Sequence, residues 1–282
     1  MGAETTGRPA LTTAQSAYLD LMKRVLTRYG FDDDVTIYVP EKAWQRRAVH
    51  AVQQAIGKRG LVVRRRNAGE AWHREQGLDW PPTAETMVGL RRLENVQACV
   101  EDVVANGVPG DLIETGVWRG GTTIFMRAIL NALDDPDRLV WVCDSFEGLP
   151  PPDPQYPADE GDELYTHTEL QITVEQVKAN FERYGLLDDR VRFLKGWFKD
   201  TLPGLEAEKL AVVRLDGDMY SSTMDAITAL YPKLQPGGYL IVDDYGAIPA
   251  CKVAIDEYRA AHGIDDPLVT VDWTGVYWQR TS

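Results

Sequence analysis

Five short apolar runs after Gly110 constrain the fold of this chain more than any other feature. All are rich in β-branched residues: DLIET (111–115), LVWVC (139–143), RVRFL (190–194), LAVVRL (210–215) and YLIVD (239–243). Helical patterns separate most of them, at about 121–133, 173–185 and 221–234. Strands that alternate with helices and are apolar on both faces are typical of a parallel sheet covered by helices on both sides. The sequence therefore predicts an α/β domain.

The end of the chain adds two further strands. After a predicted helix at about 248–262, the runs LVTVD (268–272) and GVYWQ (275–279) are separated by only two residues. So short a link suits an antiparallel hairpin rather than a helical crossover. The prediction is a seven-stranded, mostly parallel sheet with a C-terminal antiparallel hairpin, an arrangement that resembles the Rossmann-like class I methyltransferases.

The first 82 residues carry a weaker pattern. Apolar residues at helical spacing predict a helix over 13–29, a short strand over 35–39 and a helix over 41–58. The three arginines at 64–66 are expected to form a solvated or interface charge cluster. We interpret residues 1–82 as an N-terminal helical appendage for substrate or subunit contacts, and we expect a homo-oligomer.

Residues 83–282 form the predicted main domain. Thr83 is a candidate cap for a helix that runs through Asn106. Within this domain, the Pro-rich and acidic stretch PPPDPQYPADEGDELYTHT (150–168) is too long for an ordinary connection. We interpret it as an active-site lid over about 150–172, with a disordered insertion as the alternative.

Charge and cysteine content exclude several classes of protein. A formal charge of −13 disfavours nucleic acid or an anionic membrane as a partner, because both require basic surfaces. No apolar run approaches the roughly 20 residues of a membrane-spanning helix. The three cysteines are widely spaced in apolar context, so we expect buried free thiols. Together with an N-terminus that lacks the apolar core of a signal peptide, this predicts a cytoplasmic protein.

Carboxylates follow two of the predicted strands directly. Asp216 and Asp218 come after LAVVRL, and Asp243 and Asp244 end YLIV. Adjacent parallel strands would bring these acids to one edge of the sheet, where two carboxylates about 4 Å apart repel by roughly 4 kcal/mol at an effective dielectric constant near 20. A hard divalent cation relieves such crowding, so the pattern predicts a metal site. The alternatives are turn acids without a metal and, for Asp218, a cap on the following helix.

The segment DLIETGVWRGGTT (111–123) has the pattern of a strand, a glycine turn and a helix start. Its glycines would let a ligand approach the helix, but the residues between them depart from the dinucleotide-binding pattern G-x-G-x-x-G. Asp144, at the end of the next strand, is placed to accept hydrogen bonds from ribose hydroxyls, or else caps the turn DSFEG. Glu114 could face a ligand's amino group, or form a buried ion pair with Arg119.

Several motifs together resemble the macrocin O-methyltransferase (TylF-type) family. They are WPPTAETMVGLRRLENV (80–96), ETGVWRGG (114–121), CDSFEGLPPPD (143–153), KGWFKDTLP (195–203), VVRLDGDMYSST (212–223) and GGYLIVDDYG (237–246). The resemblance implies S-adenosylmethionine as the methyl donor, Mg²⁺ as the metal, and a sugar hydroxyl of a glycosylated small molecule as the acceptor.

The same resemblance implies a role for each matching residue. Asp216, Asp243 and Asp244 would bind the metal, and Asp218 would be the general base. The implied cofactor site consists of Met87, Glu114, Thr115, Gly116, Arg119, Thr122, Asp144, Ser145, Gly196, Trp197 and Phe198. A metal-dependent catechol or phenol O-methyltransferase is the close alternative. A nucleotide-dependent oxidoreductase and a non-catalytic binding protein are the more distant ones.

Overall fold

A computed structural model describes residues 11–31, 35–37, 40, 42–58, 61, 64–66 and 71–282. Its strands are β1 (Val35–Ile37), β2 (Arg64–Arg66), β3 (Asp111–Thr115), β4 (Val140–Asp144), β5 (Val191–Lys195), β6 (Leu210–Leu215), β7 (Leu234–Val242), β8 (Val269–Thr270) and β9 (Val276–Gln279). β1 and β2 form an antiparallel pair, and the other strands form a seven-stranded sheet in the order β5-β4-β3-β6-β7-β9-β8. β3 to β7 are parallel, whereas β9 is antiparallel to β7 and β8. The predicted sheet is confirmed.

Helices cover both faces of this sheet. In the described part of the chain they are α1 (Thr13–Thr27), α2 (Ala43–Gly57), α3 (Ala71–Gln76), α4 (Leu90–Ala105), α5 (Gly121–Ala132), α6 (Val174–Arg183), α7 (Phe198–Thr201), α8 (Tyr220–Leu230) and α9 (Pro249–His262). Leu19 of α1 and Phe125 of α5 lie in one core cluster, and Ile227 of α8 and Ile255 of α9 lie in the other. The sheet is buried between them, and every residue of β6 is buried.

The helix predicted from Thr83 is wrong at its start. α4 begins at Leu90, and residues 83–89 are an irregular segment with bends. In this segment the amide of Glu85 donates to the carbonyl oxygen of Leu26 (3.0 Å), and the Glu85 carbonyl oxygen accepts from the amide of Gly121 (2.9 Å). These main-chain bonds link the end of α1 to the start of α5. They use backbone groups that a helix would have required for itself.

Several N-terminal predictions can be compared with the described residues. The predicted strand over 35–39 is present at Val35–Ile37, and residues 38–39 lie outside the described part. Residues 64–66 pair with β1 as a strand, whereas the sequence indicated only a charge cluster. All three cysteines are buried and unpaired, as predicted. Within the described ranges, no helix is both long and apolar enough to cross a bilayer.

The lid segment, defined here as residues 150–172, contains three single-turn 3-10 helices. They are Pro157–Asp159, Leu164–Thr166 and Thr168–Leu170. Arg46 of α2 binds the segment through the Glu163 carboxylate (2.5 Å) and the Thr166 hydroxyl (3.1 Å). The chain before residue 82 therefore contacts the lid segment directly.

Candidate active site

A cavity of about 550 Å³ lies at the carboxyl ends of β3, β4, β5 and β6. Its lining from these strand ends includes Gly116, Asp144, Gly196 and Asp216. In open parallel sheets, this edge is where ligands bind. The lid segment forms the opposite wall through residues 150–154 and Tyr156.

Gly116 brings the ends of β3 and β6 together. Its φ is +84°, and a Cβ added there would lie 1.7 Å from the carbonyl oxygen of Asp216. Only glycine fits both the left-handed backbone and this close approach. The amide of Asp216 also donates to the carbonyl oxygen of Thr115 (2.9 Å), so the glycine turn and the acids are held next to each other.

Asp144 organises the loop that follows β4. Its carboxylate accepts hydrogen bonds from the amides of Val117 (2.8 Å) and Phe146 (2.7 Å). Burial raises the pKa of Asp144, and these amide hydrogen bonds oppose that rise. The bond from Phe146 shows that the turn-capping alternative is correct. Asp144 also lines the cavity, so capping does not exclude the ribose contact predicted from the sequence.

Carboxylates from two strands meet beside this cavity. Oxygens of Asp216, Asp243 and Asp244 all lie within 4.8 Å of one another. The Oδ2 atom of Asp244 is buried and has no hydrogen-bond partner among the described residues. Burial raises the pKa of Asp244 well above its usual value, and the charges of Asp218, Asp216 and Asp243 add to this. An oxygen-only donor set with an unpartnered buried oxygen fits a hard divalent cation.

Two buried arginines surround the same carboxylates. Arg214 donates to Glu114, Asp216 (2.7 Å) and Asp243, and Arg92 donates to the other oxygen of Asp243. Asp243 therefore has a guanidinium on each carboxylate oxygen, whereas no arginine side chain that the structure describes binds Asp244. Sequence analysis missed both arginines. Arg214 had a visible signal, because it is a charged residue within the otherwise apolar strand LAVVRL.

Glu114 does not contact Arg119. It pairs with Arg214 instead, and each of these two side chains is only 1% exposed. Burial raises the pKa of Glu114 to about 8, although the Arg214 charge acts to lower it. Arg119 donates to the carbonyl oxygens of Pro82 (3.0 Å) and Ala84 (2.8 Å). The ion-pair alternative with Arg119 is therefore wrong, because Arg119 binds main-chain acceptors in the irregular segment before α4 instead.

Asp218 lies three residues after the end of β6, in a left-handed conformation with φ of +57°. Helix α8 is capped by Met219 and begins at Tyr220, so the alternative that Asp218 caps this helix is wrong. Burial raises the pKa of Asp218 to about 8, and the nearby Asp216 and Asp243 contribute to the rise. A carboxylate with a raised pKa that faces a cavity is typical of a general base.

The structure brings most of the predicted cofactor residues to the cavity, but not all of them. Those in the lining are Met87, Gly116, Asp144, Ser145, Gly196, Trp197 and Phe198, together with Asp216 and Asp218. Glu114, Thr115, Arg119 and Thr122 lie outside the lining. Sequence analysis did not single out Trp118, Ser221, Ser222 and Asp225, which also line it. Their positions depend on the turns after β3 and β6, which strand patterns alone do not define.

Comparison with known proteins adds an independent line of evidence. The sequence model of the family described as Macrocin-O-methyltransferase (TylF) matches residues 15–280. The chain is 50% identical over 274 residues to a Streptomyces olivaceus protein named 8-demethyl-8-(2,3-dimethoxy-alpha-L-rhamnosyl)-tetracenomycin-C 4'-O-methyltransferase, covering 95% of this chain and 94% of that one. It is 47% identical over 275 residues to the mycinamicin III 3''-O-methyltransferase of Micromonospora griseorubida, covering 96% and 99%.

Solved structures agree with this comparison. The O-methyltransferase NovP superposes with a TM-score of 0.81 at 47% identity, and the match covers 95% of this chain and 100% of NovP. The calicheamicin methyltransferase CalS11 superposes with a TM-score of 0.55 at 17% identity, covering 87% of this chain and 95% of CalS11. The second match concerns the fold alone.

Proposed function

This chain belongs to the macrocin O-methyltransferase (TylF) family, and from that premise we propose that it methylates a sugar hydroxyl of a glycosylated natural product. It is an O-methyltransferase, and its class I fold implies S-adenosylmethionine as the methyl donor. The proposed acceptor follows the named relatives, which include a rhamnosyl-tetracenomycin and a mycinamicin O-methyltransferase. The observation that carries the proposal is one cavity that contacts both the glycine turn at Gly116 and the acids Asp216 and Asp218.

In the proposed site, the donor lies against the ends of β3 to β5. Asp144 would bind the ribose hydroxyls, and Gly196, Trp197 and Phe198 would flank the adenine. Met87 would lie near the methionine end. In pockets of this kind, apolar and backbone surfaces bury most of the ligand, and a few polar groups fix its orientation.

Asp216, Asp243 and Asp244 would hold Mg²⁺ at the acceptor end of the cavity. When bound, the metal supplies Lewis-acid polarisation of the acceptor oxygens and lowers the pKa of the hydroxyl to be methylated. Arg92 and Arg214 keep Asp243 oriented. They also offset part of the repulsion among the carboxylates.

Asp218 is the proposed general base. A sugar hydroxyl is a poor nucleophile, and removal of its proton makes the oxygen able to attack a sulfonium methyl group. Asp218 lines the cavity two residues after Asp216, so its carboxylate is placed to accept that proton. The lid segment would exclude water from the reacting groups, and residues 1–82 would contribute substrate or subunit contacts.

The proposal is tested by turnover of S-adenosylmethionine with rhamnosyl-type glycosides, the matching aglycones and a catechol as acceptors. We expect methylation of a glycoside, no methylation of its aglycone, and loss of turnover in excess EDTA that added Mg²⁺ restores. Asp218→Asn should lower kcat while S-adenosylhomocysteine still binds in calorimetric titration. Methylation of the catechol in preference to every glycoside would support a phenol methyltransferase instead. Turnover that persists in EDTA would contradict the metal role.

A further inference from the structure

The lid segment is fastened at several points to the body of the protein. His50 of α2 hydrogen-bonds the Thr168 hydroxyl through Nδ1 (3.2 Å). The indole of Trp118, in the loop after β3, donates to the carbonyl oxygen of Glu169 (2.9 Å). In addition to these and to the Arg46 contacts, Asp159 accepts hydrogen bonds from amides at the start of α8. These amides belong to Tyr220 and Ser221, which follow the proposed base Asp218 by two and three residues.

Asp159 is a buried carboxylate that caps a helix from another part of the chain. It is only 2% exposed, and its two oxygens accept hydrogen bonds from the amides of Tyr220 (2.7 Å) and Ser221 (3.0 Å). These are the first two residues of α8. The N-cap residue of that helix is Met219, whose side chain makes no capping hydrogen bond. A negative charge at a helix N-terminus satisfies free amides and interacts favourably with the helix dipole. The lid segment supplies this cap to α8.

The start of α8 also determines where Asp218 lies. Asp218 directly precedes the cap residue Met219, and its φ of +57° is uncommon for a residue with a side chain. On one side of the turn, the Asp216 amide donates to the Thr115 carbonyl oxygen (2.9 Å). On the other side, the chain is fixed by the two amides that bind Asp159. Such a conformation persists only where the surrounding structure holds it.

We infer that Asp159 is a positioning residue that couples closure of the lid segment to placement of Asp218. The inference rests on the proposed function of Asp218 as the base. When the lid segment leaves α8, the amides of Tyr220 and Ser221 lose their acceptors and the left-handed turn loses one of the contacts that hold it. Asp218 then departs from its working position. With the lid closed, the buried carboxylate returns the turn to the conformation described above.

The residues that line the cavity suggest how a bound acceptor would favour the closed lid segment. Tyr156 of the lid segment and Ser221 and Ser222 of α8 line the same cavity as Asp218. The rings of Tyr156 and Tyr220 also contact each other, with centroids 5.8 Å apart. An acceptor that fills the space between the lid segment and α8 would touch both elements. Its binding would favour the arrangement in which Asp159 caps the helix and the base is in place.

Three variants test this inference. Asp159→Ala removes both acceptor oxygens, Asp159→Asn retains one of them, and Glu160→Gln removes a charge from the exposed neighbouring residue as a control. We expect kcat to fall about 100-fold in Asp159→Ala and about tenfold in Asp159→Asn, because small misplacement of a reacting group has effects of this size. The Kd for S-adenosylhomocysteine should stay within about threefold of the wild-type value, because Asp159 is outside the cavity lining. Glu160→Gln should match the wild type.

Hydrogen exchange of the ligand-free protein gives a readout that requires no turnover. In Asp159→Ala, amides of residues 218–223 and of the lid segment should exchange faster together, while those of β3 and α5 are unchanged. Unchanged exchange at 218–223 would overturn the inference, as would a kcat within about twofold of wild type in Asp159→Ala. A fall in melting temperature with unchanged kcat would assign Asp159 a purely structural role. If the wild type methylates no glycoside, the proposed function fails, and the exchange result still decides whether the lid segment and α8 are coupled.

Discussion

Asp243 and Asp244 are neighbours in sequence, yet the structure predicts opposite effects when each is changed to asparagine. The two oxygens of Asp243 accept from Arg92 and Arg214, both of which are buried. Asp243→Asn leaves these guanidinium groups without that counter-charge. In Asp244, the buried Oδ2 atom has no partner among the described residues, and three other carboxylates surround it. Asp244→Asn therefore removes a repulsive charge in the metal-free protein.

The expected magnitudes follow from these environments. Removing one partner of a buried ion pair costs about 3–5 kcal/mol. At about 2–4 °C per kcal/mol, Asp243→Asn should lower the melting temperature by roughly 6–20 °C. For Asp244, an oxygen within 4.8 Å of its neighbours has a repulsion of roughly 3–4 kcal/mol per pair at an effective dielectric constant of 20. Because its raised pKa lets Asp244 take up a proton instead of bearing this full repulsion, and because the Arg92 charge offsets part of it, we expect Asp244→Asn to gain only about 1 kcal/mol.

Thermal unfolding in EDTA and in Mg²⁺ measures both effects. A site that binds only in the folded state stabilises the protein by about 2.7 kcal/mol at 100 times Kd, so the wild type should melt higher in Mg²⁺. Asp244→Asn should respond less, because a neutral amide oxygen is a weaker ligand for the cation than a carboxylate. The control is Asp188→Asn, which breaks the pair with buried Arg127 on α5. It should melt lower than the wild type and keep the full Mg²⁺ response. A shift of the same sign for Asp243→Asn and Asp244→Asn in EDTA would refute the reasoning.

Three further substitutions test other parts of the fold and site. Gly116→Ala places a Cβ 1.7 Å from the Asp216 carbonyl oxygen, so we expect loss of soluble folded protein or of all turnover, measured by circular dichroism and methylation assay. Asp144→Ala removes the acceptor of the Val117 and Phe146 amides and should weaken S-adenosylhomocysteine binding by about tenfold in calorimetric titration. Leu26→Ala, at a fully buried position of α1, should cost about 2–5 kcal/mol in urea unfolding and leave that binding unchanged, which an altered Kd would contradict.

The sheet could be predicted from sequence because its signal is local. Each strand is a short apolar run, and the rule that parallel strands end at one edge places the acids after β6 and β7 together. The hairpin at β8 and β9 followed from the length of its link. None of these steps required knowledge of contacts between distant residues.

The electrostatic partners could not be predicted in this way. Arg92 meets Asp243 across 151 positions, and Asp159 meets Tyr220 across 61. No sequence periodicity encodes such pairs, because they depend on how whole elements pack. The segment before α4 was misassigned for the same reason. Its backbone bonds go to Leu26 and Gly121, and these tertiary partners outweigh the local preference for helix.

The arginines also clarify why an acid-rich cluster can be buried beside the cavity. Four carboxylates, those of Glu114, Asp216, Asp243 and Asp272, share the guanidinium groups of Arg92 and Arg214. Asp244 has no share in either group, so the cluster retains an excess of negative charge. Complete neutralisation by further arginines would leave no free oxygen for a cation. Absence of the arginines would leave Asp216 and Asp243 free to turn away from each other. Partial neutralisation fixes the geometry of Asp216 and Asp243 and leaves an oxygen of Asp244 free, an arrangement that would suit the proposed divalent cation.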